Sequence, residues 1–342
     1  MGCRGRLVIG LRRGLVHGAR ISALGVYVPE RVLTNDEISG FLDTSDEWIT
    51  SRTGIRERRI AGADQAASDL GVIAARRCIE SVDVDPLDLD LVIVTTISPD
   101  HIMPATASIV AERIGARRAG AFDVQAGCTG FVYGLAIATA FVSAGIYKNV
   151  LVLGAEVLSR MVDWEDRSTC VLFGDGAGAV LVQPTDRGSI FSFDLGNDGS
   201  GASFLNVPAG GSRMPASHET VRQHAHTMHM TGSEVFKFAT RTVADSCEKV
   251  LADAELSVAD IDLFVPHQAN IRIIDAAVRR LGFEEEQVFS NLDRYGNTSC
   301  ASIPICLREA SQGGRLKKGD MLLMAGFGAG LTWGSCLTRW EL

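Results

Sequence analysis

The chain has 342 residues, of which 46% are hydrophobic and 22% charged, with 36 glycines. That describes a folded α/β protein with a sizeable buried core and excludes a disordered or fibrous one. A net charge of -8 at pH 7 argues against wholesale nucleic-acid binding, and eight cysteines without a C-x-x-C pair read as reduced thiols, neither a disulfide framework nor a zinc site.

In chain order, residues 1–20 are basic and glycine-rich, and their apolar run LVIGL is too short and interrupted for a signal peptide. They read as a flexible tail. No later run reaches transmembrane length, so a cytoplasmic protein without membrane contact is expected. The segment 87–101, LDLDLVIVTTISPDH, predicts a buried strand followed by a polar loop, and IMPATASIVAERIG after it has helical spacing. At 121–138, AFDVQAGCTGFVYGLAIA, a strand turns into a helix around a lone thiol, Cys128. NVLVLGAE (149–156) predicts another buried strand. An extra segment follows at 156–174; it carries Arg167 and has the character of a functional loop.

His218, His224, His226 and His229 crowd into 218–230. The alternation of His224 and His226 fits a surface strand better than a metal site, and no metal is expected. The later segments repeat the earlier pattern. ADIDLFVPHQANIR (259–272) matches 87–101, and DMLLMAGFG (320–328) matches 149–156. Pairing Val94 with Val265 and Leu151 with Leu322 gives one offset, 171, for both matches. An internal duplication is expected, with halves at 21–190 and 191–342 built of βαβ units. This offset carries Cys128 onto Ser299.

A helix N-terminus presents unsatisfied N–H groups and partial positive charge. A thiol placed there is expected to ionise readily and act as a nucleophile. His267 follows a buried strand and is pinned by Pro266; parallel sheets place their sites at such strand ends. Asn297 sits in a glycine-flanked turn.

Six stretches together resemble β-ketoacyl-acyl carrier protein synthase III: DTSDEWITSRTGIRERRIA (43–61), AGCTGF (126–131), FGDGAGAVLV (173–182), VPHQANIRII (265–274), GNTSCASIP (296–304) and GFGAGLTWGS (326–335). The resemblance covers about residues 20–342 and implies the thiolase fold, two duplicated α/β halves in a five-layer αβαβα core. It further implies a decarboxylative Claisen condensation of an acyl-CoA primer, acetyl-CoA first, with malonyl-acyl carrier protein, the first elongation of fatty acid synthesis. A related enzyme that primes a polyketide or other secondary metabolite is the alternative. By motif position Cys128, His267 and Asn297 form a Cys-His-Asn triad. The backbone N–H groups of Cys128 and Ala329 form an oxyanion hole. Thr44, Trp48, Arg52, Arg167, Gly232, Phe236 and Asn270 hold CoA or pantetheine, with Trp48 and Arg167 sandwiching the adenine.

The resemblance gives the acyl pocket Leu172 and Met103, the latter offered by a neighbouring subunit of a homodimer. Lys237, Arg272, Arg279 and Arg280 are the expected docking face for the acidic carrier protein. No cofactor is implied, since the CoA thioester is itself a substrate. A thiolase would carry a second cysteine in the GFGAGLTWGS loop, which has none. A non-catalytic acyl-binding protein on the same fold is disfavoured by the complete triad.

Overall fold

The computed structural model describes residues 18–186 and 192–342. Nine strands form two main sheets. The first contains β1 (Gly18–Tyr27), β2 (Leu91–Thr95), β3 (Gly120–Val124), β4 (Val150–Glu156) and β5 (Gly176–Thr185), in the order β1-β5-β4-β2-β3. The second contains β6 (Ser192–Asn197), β7 (Leu263–Pro266), β8 (Met321–Gly328) and β9 (Thr332–Arg339), in the order β7-β8-β9-β6. β2 runs parallel to β3 and β4, and β7 parallel to β8, while the outer pairings are antiparallel.

Seven helices matter for the site: α1 (Asp46–Thr53), α2 (Ala67–Glu80), α3 (Thr106–Ile114), α4 (Gly130–Ser143), α5 (Gly232–Asp253), α6 (Ile271–Leu281) and α7 (Ser302–Gln312). Side-chain alternation along the strands assigns them to layers. Val92, Val94, Leu151 and Leu153 pack outward against Leu70 and Ala74 of α2 and Val110 of α3. Leu91, Ile93, Val150 and Val152 face inward, onto Phe131 and Leu135 of α4 and Ile303 and Leu307 of α7. The same central cluster takes Leu263, Val265, Leu322 and Met324 from the second sheet. Phe264, Leu323 and Ala325 point the other way, toward Val243 and Val250 of α5 and Ala277 of α6. The result is the expected αβαβα sandwich, with α4 and α7 between the sheets. Strands buried on both faces explain the near-continuous apolar runs of the sequence.

The duplication is real, but its offset is 172 rather than 171. Inward-facing Leu91 and Val150 are opposite each other, as are inward-facing Leu263 and Leu322, and 263 minus 91 is 172. An offset of 171 would match an outward residue with an inward one, since one residue of slip exchanges the faces of a strand. Three further features obey the same offset. α4 starts at Gly130 and α7 at Ser302. Gly127 and Ser299 both have left-handed backbone, φ +56° and +48°. Gly154 lies beneath the Cys300 carbonyl as Gly326 lies beneath that of Cys128. Cys128 is therefore equivalent to Cys300, not Ser299. The two equivalent cysteines meet at the centre, where Cys300 Sγ lies 3.1 Å from Gly127 O.

Two local expectations also change. Residues 18–20 belong to β1, pairing with Gln183–Thr185, so the expected tail is too long by those three residues; residues 1–17 and the proposed boundary at 190/191 lie outside the described residues. The histidine-rich segment forms a short helix at His218–Arg222 and a left-handed turn at His224, and only His229–Met230 is strand. Its histidines are held singly: His224 by Asp163 at 2.7 Å, His226 by Thr220 Oγ1 at 2.9 Å.

Candidate active site

Cys128 sits in the turn between β3 and α4, two residues before the helix begins. Its neighbourhood is set by close backbone approach. A Cβ on Gly127 would fall 2.6 Å from Ala329 N, so only glycine with its free φ lets the β8–β9 loop lie against the Cys128 turn. His267 follows β7, its backbone N–H bonded to Ala325 O at 2.7 Å. Asn297 ends a turn before α7, and its Oδ1 accepts the Ser299 N–H at 2.8 Å. That bond turns the amide Nδ2 away from Ser299. The three side chains come from both halves and are all buried, at 5%, 2% and 6% exposure respectively.

They line one cavity of about 200 Å³. Trp48, Arg52, Arg167, Gly232, Phe236, Asn270 and Leu172 line the same cavity, leading from the surface inward. A second cavity of about 480 Å³ begins on the other side of Cys128, walled by Ile97, Met161, Phe173, Met228 and the Ala329–Gly330 loop. Cys128 belongs to both linings.

The electrostatics differ from the sequence expectation. Burial pushes the Cys128 thiol up to about 12, against a small lowering by the Ser299 hydroxyl; the nearby Glu156 raises it further. The resting sulfur is a thiol, not the thiolate expected from the helix terminus, because the loss of water outweighs the helix field. Burial likewise lowers His267 to about 3, so its imidazole is neutral. Its Nδ1 is 2.7 Å from Ser302 Oγ, and its Nε2 has no partner.

Sequence reasoning missed Glu156, which is fully buried at the end of β4. It accepts from Thr96 Oγ1 at 3.0 Å, Ile97 N at 3.1 Å, Ser98 N at 3.2 Å and Ser98 Oγ at 2.6 Å. This fixes the β2 loop that walls the second cavity. Ser299 and Ser302, both within the quoted GNTSCASIP motif, were also missed. The tell was their position beside the pseudo-equivalent of the nucleophile turn.

Other expected residues fall as follows. Arg167 and Arg52 stack on Trp48 from 5.0 and 4.6 Å. A planar base between Trp48 and Arg167 needs roughly 7 Å, two ordinary contacts of about 3.5 Å, so Arg167 must swing out to admit one. Its other tie is to Asp43 O at 2.6 Å. Asn270 caps α6 and bonds Arg52 O. Thr44 lies outside both cavity linings, with its hydroxyl buried and unpaired. Leu172 lines the Trp48 cavity and not the second one.

Met103 is 85% exposed and lines neither cavity of its own chain. Of the basic residues, Arg272 lies over Phe236 at 5.6 Å and Arg279 is exposed. Lys237 pairs with Glu234 at 2.7 Å, and Arg280 is balanced by Asp245 and Glu248. Among the described residues no cluster of three or more His, Cys, Asp or Glu could hold a metal, all seven described cysteines are free, and no helix is long and apolar enough to cross a membrane.

Two family models match, 3-oxoacyl-[acyl-carrier-protein (ACP)] synthase III over residues 122–199 and its C-terminal domain over 251–340. A β-ketoacyl-[acyl-carrier-protein] synthase III from Desulfitobacterium hafniense is 54% identical over 322 residues, 94% of this chain and 97% of the relative. The chain belongs to the β-ketoacyl-[acyl-carrier-protein] synthase III family. It is a condensing enzyme of the acyltransferase type on the thiolase fold. A synthase III from Clostridioides difficile is 51% identical over 95% of this chain and 99% of its own. Among solved structures, the synthase III of Aquifex aeolicus superposes with a TM-score of 0.88 at 44% identity, covering 94% of this chain and all of that one. The priming β-ketosynthase of the R1128 polyketide pathway superposes at 0.89 with 37% identity, covering 97% and 99%.

Proposed function

We propose that this synthase III takes the acyl group of an acyl-CoA primer, acetyl-CoA first, onto Cys128 and condenses it with malonyl-acyl carrier protein to give 3-oxoacyl-acyl carrier protein. One observation carries the reading: the Cys128 sulfur lies where two cavities meet. The cavity reaching Trp48 and Arg167 suits a nucleotide and its pantetheine arm, through stacking on an indole and a guanidinium. The apolar cavity behind the sulfur suits an acyl chain. Leu172 belongs with the pantetheine side.

Loss of carbon dioxide from the malonyl group builds negative charge on its thioester oxygen. Asn297 Nδ2 and His267 Nε2 are the donors for it, and backbone N–H groups of Cys128 and Ala329 serve the tetrahedral acyl intermediate. Asn297→Ala should slow decarboxylation by at least a hundredfold while acylation by acyl-CoA falls much less. Ile102 and Met103, 89% and 85% exposed, form an apolar tip that suits insertion into a second copy of the chain. The protein is accordingly read as a cytoplasmic homodimer, and light scattering of the purified chain tests that state.

The 54% identity to a synthase III over nearly the full chain favours the initiating step of fatty acid synthesis. The likeness to a polyketide priming synthase at 37% keeps that pathway as the second reading. An acyl-CoA panel with malonyl-acyl carrier protein, scored by mass spectrometry of products, tests the assignment. Short primers should give 3-oxoacyl products with the native protein and none with Cys128→Ala; unchanged turnover by that variant would refute it.

A further inference from the structure

Ser302 opens α7 and is 2% exposed. Its hydroxyl has one proton and two acceptors in reach: Ser299 O at 2.8 Å and His267 Nδ1 at 2.7 Å. The Gln268 N–H also points at this oxygen, from 3.5 Å. With the hydroxyl proton given to Ser299 O, Oγ receives Nδ1–H and Gln268 N–H, and every donor in the cluster is used. With the proton turned to Nδ1, Ser299 O keeps only the Ser302 backbone N–H, and one bond is lost.

We infer that Ser302 is a positioning residue that fixes the tautomer of His267, holding the proton on Nδ1 and leaving the lone pair of Nε2 to face Cys128. This rests on the condensing-enzyme reading and adds to it a path for the thiol proton. Cys128 is a thiol with a high pKa and needs an acceptor, and Nε2 is buried in the same cavity without a protein partner.

As Cys128 Sγ attacks the acyl carbon, its proton moves to Nε2. The ring becomes a transient imidazolium, a charge that burial disfavours and that the malonyl carboxylate and then its enolate offset. The bond from acyl carbon to CoA sulfur breaks, and CoA leaves as a thiolate that takes a proton from water. Nε2–H now donates to the thioester oxygen while the malonyl group loses carbon dioxide. The enolate carbon attacks the acyl-enzyme, the acyl–Cys128 bond breaks, and the departing sulfur takes its proton back from Nε2. The cycle consumes one proton from water and returns both residues to their starting state. His267 is thus an acceptor in the first half-reaction and a donor in the second, and Ser302 Oγ accepts Nδ1–H throughout.

The test reads the tautomer directly in the substrate-free protein. With ¹⁵N-histidine labelling, long-range proton–nitrogen correlation identifies which ring nitrogen carries hydrogen, and the His267 signal is assigned by its loss in His267→Asn. Native protein should show Nδ1–H, and Ser302→Ala should show Nε2–H. In the same variant acyl transfer from acyl-CoA should fall at least tenfold, with malonyl decarboxylation within about threefold of native. Ser302→Thr, which keeps the hydroxyl, should recover most of the acylation rate.

Nε2–H in the native protein would overturn the inference, and so would equal loss of both half-reactions in the Ala and Thr variants. Should Ser302→Ala fail to fold, the native spectrum alone decides. A native Nδ1–H signal without any acyl transfer would sink the functional reading and leave the tautomer assignment standing.

Discussion

His267 shows how burial sets chemistry at a single residue. Its folded pKa of about 3 lies below the ordinary 6.5, so the folded state resists a proton that the unfolded chain accepts. The unfolded chain therefore binds more protons in this window, and stability falls as pH drops from about 6.5 toward 3. The slope is about 1.4 kcal/mol per pH unit from this residue alone. Urea unfolding at pH 7, 6 and 5 should show that loss in the native protein and a shallower one in His267→Gln. An unchanged slope in the variant would mean that other groups carry the acid sensitivity. The same burial explains the failed expectation at Cys128. The strand-to-helix turn was legible in AGCTG, but the depth of the turn beneath two sheets was not, and depth decides whether a helix terminus can hold a thiolate. Ser302, likewise, looks like any helix-start serine until the fold brings β7 beside it.

At the scale of elements, the duplication places two central helices head to head at the site. The turn before each one lies against a strand glycine of the other half, Cys300 against Gly154 and Cys128 against Gly326. Gly154 of β4 passes so close to the Cys300 carbonyl that a methyl group there would fall inside its van der Waals shell. Gly154→Ala should destabilise the protein by about 1–3 kcal/mol, the usual range for overpacking a closed core. The urea midpoint measures this, and a midpoint within error of native would show that the contact is loose. Apolar periodicity made the layers and the repeat legible, because doubly buried strands leave long apolar runs at 91–95 and 321–325. It could not fix the offset, since such runs carry no alternation to tell one face from the other; only the packing of Leu91 and Leu263 toward the middle does.

At the scale of the whole molecule, the cavity of Trp48 and Arg167 opens beside α1, α5 and α6, and the second cavity meets it at Cys128. The basic face around the opening is smaller than the sequence suggested. Arg280 and Lys237 are balanced by neighbouring carboxylates, and on the proposed reading Arg272 and Arg279 on α6 are the residues left to attract an acidic carrier. Arg279→Glu should raise KM for malonyl-acyl carrier protein several-fold, more at low salt than at high, without altering acylation by acyl-CoA. Equal kinetics at both salt concentrations would move the docking face elsewhere.

The central claim is that one sulfur, shared by two cavities, carries the acyl group between substrates. Its most direct test is peptide mapping by mass spectrometry after brief exposure to acetyl-CoA alone. A single acetyl group is expected, on Cys128 and on no other cysteine, discharged when malonyl-acyl carrier protein is added. An acetyl group on Cys300 or another thiol, or full turnover with Cys128 unmodified throughout, would contradict it.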